Sequence, residues 1–236
     1  MNTSVGSTAR LLGAGLRALL VLTIVCGVIY PLAVMGVGQA LFNNKANGSE
    51  ITSNGKVVGS ELIGQRYDLP LKKGEETPAP DLKWFQPRPS NGLGTNSVNT
   101  QYKLILSGAT NRAGDNEELI QWVKDAKAAV VKDNSVDGYQ VRPADVPADA
   151  VTSSGSGLDP AISPEYADIQ VQRVAKLNGL DVGAVQKLVD EHKDGRILGF
   201  IGEPRVNVLE LNIALKALES TDGSADGSPQ GSPTGE

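Results

Sequence analysis

Few residues in this chain could carry nucleophilic or metal chemistry. There is one cysteine and one histidine in 236 residues. His192 is therefore the only histidine available to a serine triad, and one Cys with one His cannot assemble an ordinary zinc site. The sequence predicts that His192 lies on an apolar helix face beside Val185 and Leu188, which favours a structural role. No complete catalytic set is predicted, so an anchored hydrolase is disfavoured.

Phosphate chemistry is equally poorly supported. Gly48 and Gly55-Lys56 resemble a phosphate-binding loop, but their spacing is two residues too long. Val57 also stands where that loop has the Ser or Thr that binds magnesium. The Gly155–Gly157 turn lacks the strand and helix that flank a dinucleotide fingerprint. The sequence predicts no nucleotide site built by this chain alone.

Four polar clusters remain, each typical of a turn that leads into a capped element. They read GSELIGQ at 59–65, WFQPRPS at 84–90, SGSGLDPAISPEYADIQVQRVA at 154–175 and GEPRVNVLELNIAL at 202–215.

Composition and charge limit the possible partners. The chain has 22 Lys and Arg against 27 Asp and Glu, for a net charge of −5. This acidic balance argues against nucleic acid, because phosphate-backbone binders need clustered positive charge. The single cysteine excludes an intramolecular disulfide.

A long apolar segment stands near the N-terminus. Ala18 to Asn44 gives 27 consecutive residues without an Asp, Glu, Lys, Arg or His, and a helix of that length would rise about 40 Å, enough to cross a bilayer. Arg10 and Arg17 precede it without any acidic residue, so the positive-inside rule keeps the N-terminus in the cytoplasm. The part beyond this segment then carries −7. Pro31 lies inside the run and predicts a kink.

Two other interpretations of this segment stay open. A secretory signal peptide could be cleaved near Gly38-Gln39-Ala40, although its apolar region is usually shorter than the one here. A lipoprotein signal needs a small residue just before Cys26, where this chain has Val25.

The remaining sequence predicts a mixed domain. Asn54-Gly55 predicts a hairpin turn, and Asp115 with Glu118 predicts the start of a helix. Ser163-Pro164 and Asp181 predict two further helices, and Ile197–Ile201 predicts a short strand. Asn207 and Glu210 predict the start of the last helix. The fold class is therefore α+β, a single N-terminal transmembrane helix followed by one extracytoplasmic mixed α/β domain. We expect a cytoplasmic start at 1–10, the membrane region at 11–42, the domain at 43–219 and a disordered tail at 220–236.

In this order behind one anchor, the four clusters resemble the C subunit of the high-affinity potassium-transporting P-type ATPase, the Kdp complex. The resemblance covers residues 10–218 and is loose between about 69 and 115. It implies a non-catalytic accessory subunit of the cell membrane that stabilises an ATP-driven pump. The implied partners are a channel-like potassium-translocating subunit (KdpA type), a P-type ATPase catalytic subunit (KdpB type) and a small single-helix subunit (KdpF type). ATP and potassium would act at the level of the complex, with no cofactor bound by this chain.

The family is also assigned a role as a catalytic chaperone that raises the ATP affinity of the P-type subunit. The resemblance links Gln170 and Gln172 to that role, whereas the predicted topology separates the domain from cytoplasmic ATP. The remaining expected interface and motif residues follow the clusters: Pro31, Gln65, Arg88, Pro89, Ser90, Gly157, Asp159, Arg173, Glu203, Arg205, Asn207 and Glu210. Intradomain salt bridges and caps are the alternative role for the charged ones. A secreted or membrane-anchored envelope domain that binds its ligand alone is the alternative function.

Overall fold

The computed structural model describes residues 4–73, 77–90 and 107–225. It divides into two compact units, Met1–Glu50 and Ile51–Glu236. The N-terminal unit is helical and the second mixes helices with short strands, which confirms the predicted fold class.

The N-terminal unit is a long interrupted helix. α1 spans Ser4–Ile24, a π-helical turn follows at Val25–Ile29, and α2 spans Tyr30–Leu41, with a short α3 at Asn43–Ala46. Within the described residues, the continuous helical stretch Val5–Leu41 is the one that is long and apolar enough to cross a membrane. The helix also includes small polar residues that precede residue 11, where the membrane region is expected to begin.

Pro31 lies in the first turn of α2, directly after the π-helical turn. Proline has no N–H and its ring displaces the carbonyl four residues earlier. A π-helical turn shifts the hydrogen-bond spacing by one residue and so accommodates this interruption without ending the helix.

The second unit begins with a hairpin. β1 (Glu50–Ser53) and β2 (Lys56–Ser60) pair across the turn at Asn54-Gly55. Both turn residues have positive φ, 51° and 75°, as a type I′ turn requires. The predicted hairpin is confirmed.

Four helices carry most of the core. They are α4 (Glu117–Asn134), α5 (Pro164–Asn178), α6 (Val182–Glu191) and α7 (Val208–Ala225). The caps of α5, α6 and α7 are the predicted Ser163, Asp181 and Asn207. The predicted cap of α4 is wrong by one residue, because the Oδ1 of Asn116 accepts the Leu119 N–H and Asp115 stays outside the helix.

A small antiparallel sheet joins the C-terminal elements. β5 (Arg205–Asn207) lies between β3 (Ala161–Ile162) and β4 (Lys193–Asp194), with Ile162 and Lys193 both opposite Val206. Residues 197–201, predicted as a strand, instead form the turn between β4 and β5, because Leu198 and Gly199 have positive φ.

α5 is the central helix of the domain. It packs against α4, α6 and β5, and eight of its fifteen residues are buried. Fully buried aliphatic side chains from α5, α6, β5 and α7 form the centre of the core: Val174, Val185, Val189, Val206, Leu211 and Leu215.

The last helix continues past Glu219 to Ala225, further than the sequence indicated. Residues 226–236 of the tail predicted at 220–236, and the loosely matching residues at 91–106, lie outside the described residues.

Candidate functional site

Hydrogen bonds to backbone carbonyls join the polar clusters to one another. The Gly64 N–H donates to the Leu158 carbonyl at 2.8 Å, and the Asn207 side-chain amide donates to the Glu61 carbonyl at 2.9 Å. The Val208 N–H donates to the Pro160 carbonyl at 3.0 Å. The first, third and fourth clusters, which lie far apart in the sequence, are therefore joined directly.

Gln65 fixes the first cluster against the rest of the domain. Its side chain is 3% exposed, and its Nε2 donates to the Val58 carbonyl at 2.9 Å. Gly59 makes room for it, since a Cβ at that position would lie 1.9 Å from this Nε2 and 2.8 Å from the Leu209 Cδ2. The glycine and the glutamine of the GSELIGQ cluster thus depend on each other.

Two buried carboxamides hold the second cluster by its backbone. The Phe85 N–H donates to the Asn212 Oδ1 at 2.9 Å, and the Asn212 Nδ2 donates to the Phe85 carbonyl at 2.9 Å. Gln170 binds the next residue in the same way. The Gln86 N–H donates to the Gln170 Oε1 at 2.7 Å, and the Gln170 Nε2 donates to the Gln86 carbonyl at 3.1 Å. The segment therefore pairs with helix side chains as a strand would pair with a neighbour. We call Phe85, Gln86, Gln170 and Asn212 the amide clamp.

Arg173 lies beneath the clamp as a buried cation. It is 1% exposed. Its Nε donates to the Asn134 Oδ1 at 2.8 Å, and its Nη2 donates to the Gln170 Oε1 at 2.6 Å. Its Nη1 donates to the carbonyls of Leu82 and Trp84. Burial lowers the pKa of Arg173 to about 10, so the group stays charged at neutral pH.

No carboxylate among the described residues lies within salt-bridge distance of this guanidinium. Its charge is met by carbonyl and carboxamide oxygens, which fixes the geometry of several chain segments at once. This arrangement suits a structural role better than a contact with a partner or ligand.

Arg88 and Ser90 of the second cluster contact residues of the third cluster. Arg88 forms an ion pair with Asp159 at 3.2 Å and lies near the Thr152 and Ser153 carbonyls, each 3.4 Å away. The Ser90 hydroxyl donates to the Gly157 carbonyl. Gly157 has a φ of +69°, and a Cβ there would lie 2.8 Å from the Gly108 carbonyl oxygen. Pro89, between Arg88 and Ser90, is half-buried.

The charged residues of the fourth cluster are the exposed ones. Glu203 pairs with Arg196 at 2.6 Å, and Arg205 pairs with Asp194 at 3.4 Å. Partial burial, and then the charges of Glu61 and Asp194, raise the pKa of Glu210. These side chains remain able to contact a partner.

Gln172 and His192 contribute less to this assembly. Gln172 is half-buried on α5. The His192 Nδ1 lies 2.8 Å from the Leu188 carbonyl at the end of α6, which agrees with a structural histidine.

The pocket found among the described residues is small for a ligand site. A shallow pocket of about 180 Å³ lies beside Pro80, Pro87, Tyr166 and Arg173, below the size of about 300–1,000 Å³ that is usual for ligand sites. The described residues contain no group of three His, Cys, Asp or Glu that could hold a metal ion. The geometry therefore joins chain segments rather than surrounding a substrate.

Gln86 and Asn212 belong to the second and fourth clusters but were not predicted as site residues, and Asn134 lies outside all four clusters. A signal existed for Asn212, because it lies four residues after Val208 and three before Leu215 on the apolar stripe of α7. A polar side chain on a buried helix face needs a partner. The sequence did not reveal which backbone groups would supply it.

Comparisons with known proteins agree with the motifs. The family model "KdpC: K+-transporting ATPase, c chain" matches residues 12–217. The potassium-transporting ATPase KdpC subunit of Streptomyces avermitilis is 77% identical over 94% of this chain and 100% of its own length. The subunits of the same name from Streptomyces coelicolor and Mycobacterium tuberculosis H37Ra are 73% and 43% identical, covering 92% and 89% of this chain and 97% and 99% of their own lengths. The chain belongs to the KdpC family, the c chain of the K+-transporting ATPase.

Proposed function

We propose that this chain is a non-catalytic accessory subunit of an ATP-driven, high-affinity potassium uptake pump. It crosses the membrane once with its N-terminus in the cytoplasm, and its mixed domain docks on the extracytoplasmic side of the channel-like subunit. A P-type ATPase subunit hydrolyses ATP, and a small single-helix subunit completes the assembly. The family match over residues 12–217 carries this proposal.

The internal geometry supports the non-catalytic part of the proposal. The polar residues of the family motifs, such as Gln65, Gln170 and Arg173, are buried in contacts that join chain segments. A catalytic group must instead reach a substrate within hydrogen-bond distance. These residues are suited to hold a rigid shape for another subunit.

The charge of the domain supports a position near a cation entrance. Beyond residue 44 the sequence has 20 basic and 27 acidic residues. Such a surplus attracts cations, although the field decays within about 8 Å at physiological salt. The effect would modestly raise the local potassium concentration.

We further propose that any effect of this subunit on ATP affinity is transmitted through the complex. Gln170, the residue linked to nucleotide by the resemblance, is 0% exposed, and its carboxamide already contacts Gln86 and Arg173. A nucleotide would have to displace these contacts to reach it. Conformational coupling between subunits needs no such displacement.

Copurification tests the proposal. The tagged full-length chain, expressed with the other pump subunits and extracted in a mild detergent, is expected to elute with a multi-pass channel-like protein and a P-type ATPase. Cells that lack the chain are expected to lose growth at limiting potassium and to regain it on complementation. A chain that purifies alone, with unchanged growth of the deletion strain, would favour an independent envelope domain.

A further inference from the structure

The turn between β4 and β5 exposes a compact group of large apolar side chains. Ile197, Leu198, Phe200 and Ile201 are 66%, 80%, 72% and 48% exposed. We call these four residues the apolar tip. Single exposed apolar side chains are normal, but four within five residues of a projecting turn are typical of an interaction site.

Backbone hydrogen bonds close the tip into a defined turn. Ile197 and Ile201 exchange two backbone hydrogen bonds, of 2.9 and 3.0 Å. Gly199 has a φ of +82°, which lets the turn close. At its base, β4 pairs with the central strand β5, with Lys193 opposite Val206. A preordered loop loses little conformational entropy when it binds, so its apolar area is available for affinity.

The charges around the tip argue against a lipid surface. Arg196 pairs with Glu203, Arg205 pairs with Asp194, and Lys193 lies 2.7 Å from Asp190. Every cation of this hairpin therefore has a carboxylate partner. Loops and helices that bind anionic membranes present unpaired Lys and Arg beside their apolar residues. The net negative charge of the domain would also oppose anionic headgroups.

The same arrangement suits a protein partner. Binding hot spots consist of a few large apolar or aromatic side chains at the centre, surrounded by polar groups that exclude water. Here the four side chains of the tip are flanked by two ion pairs, Arg196–Glu203 and Arg205–Asp194. These pairs form a polar rim without net charge. Glu203 and Arg205, expected from the sequence at a partner interface, belong to this rim.

We propose that the apolar tip docks into an uncharged apolar cleft on the channel-like subunit of the same pump and fixes the position of the domain on it. This inference rests on the proposed function, because it names the surface through which the proposed docking occurs.

Site-specific cross-linking of the assembled complex tests this inference. A photoreactive phenylalanine analogue replaces Phe200 in the full chain, and the same analogue replaces Val57 as the control. Val57 is 52% exposed on β2 of the same domain. Irradiation is expected to join the Phe200 probe to the channel-like subunit, with at least tenfold less product from the Val57 probe.

A double substitution measures the contribution of the tip to assembly. Leu198→Asn with Phe200→Ser removes two apolar side chains, and Asn tolerates the positive φ of 53° at position 198. The matched control is Val57→Thr with Leu71→Asn, at positions 52% and 54% exposed. We expect the first pair to lower the recovery of partner subunits about tenfold or more, and the control pair to leave it within twofold.

The outcomes separate this inference from the proposed function. If the complex copurifies and the Phe200 probe labels lipid, a second copy of this chain, a different pump subunit or no protein, the inference is overturned while the proposed function stands. If the unmodified chain copurifies with no pump subunit, the proposed function fails first. Unchanged assembly of the Leu198→Asn, Phe200→Ser variant would also overturn the inference.

Discussion

At the scale of single residues, a substitution in the amide clamp can test whether Gln170 has a structural role or binds nucleotide. Gln170→Met keeps a similar volume but leaves the Gln86 N–H and carbonyl without their partner. Buried orphaned groups cost about 1–3 kcal/mol each, so we expect the free energy of unfolding of the domain to fall by about 2–4 kcal/mol. Urea unfolding of the full chain in detergent measures this loss.

The fluorescence of Trp84 and Trp122 follows this unfolding without interference from the anchor, because both tryptophans of the chain lie in the domain. Gln172→Met, two residues along the same helix and half-buried, is the matched control, and we expect it to change stability by less than about 0.5 kcal/mol. Equal stability of the two variants would contradict a structural role for Gln170.

Tyr166 makes the stability of the domain sensitive to alkaline pH. Burial raises the pKa of Tyr166 from its usual value of 10 to about 12. The unfolded chain therefore loses this proton from pH 10 upward, while the folded domain retains it until about pH 12. The free energy of unfolding should be unaffected by this group below pH 10 and should fall by at most about 1.4 kcal/mol per pH unit between pH 10 and 12.

Urea titrations at several pH values measure this slope. Tyr166→Phe removes the ionisable group, so we expect a shallower decline above pH 10, with the remaining slope due to other tyrosines such as Tyr139, whose pKa is also raised by burial. The same slope in both proteins would show that Tyr166 does not cause the decline.

At the scale of elements, the sequence predicted local features well. Ser163-Pro164, Asp181 and Asn207 marked helix starts because capping is a contact between residues within one turn of each other. Residues 197–201 are predicted as a short strand or extended piece because their apolar side chains carry strand propensity. They form a turn instead, because Leu198 and Gly199 have positive φ. These apolar residues are exposed, so their hydrophobicity did not indicate burial in a sheet.

The long-range contacts could not be predicted from one sequence. Asn212 and Phe85 are 127 residues apart, and Arg173 contacts Leu82 across 91 residues. Nothing in local propensity or periodicity specifies which backbone segment meets a buried amide. The motifs indicated which residues matter, and the structure supplies the partners.

The packing of β2 against the GSELIGQ cluster provides a prediction at this scale. Gly59→Ala would place a Cβ 1.9 Å from the Gln65 Nε2 and 2.8 Å from the Leu209 side chain. Gln65 must then leave the Val58 carbonyl, and overpacking of this kind costs about 1–3 kcal/mol. Urea unfolding followed by tryptophan fluorescence should detect this destabilisation.

Gly155→Ala is the control for Gly59→Ala, because no atom lies within 4 Å of a Cβ built at Gly155 and its φ is not positive. We expect the control to change stability by less than about 0.5 kcal/mol. A Gly59→Ala domain as stable as its parent would mean that Gln65 can relocate without cost.

At the scale of the whole molecule, the proposed function depends on which side of the membrane the domain occupies. Arg10 and Arg17 flank the N-terminal end of the apolar helix, and acidic residues first appear beyond its other end. The positive-inside rule then predicts that the domain lies outside. The same orientation removes direct contact with cytoplasmic ATP, so any influence on hydrolysis must pass through the other subunits.

Cysteine labelling in intact cells tests this orientation, since Cys26 is the only native cysteine and lies in the helical anchor. In a Cys26→Ser background, we expect Asp137→Cys to react with a membrane-impermeant maleimide in intact cells. Val5→Cys, at an exposed position near the N-terminus, should react only after the cells are permeabilised. The reverse pattern would place the domain in the cytoplasm, where it could meet ATP directly and could not cover an outer ion entrance.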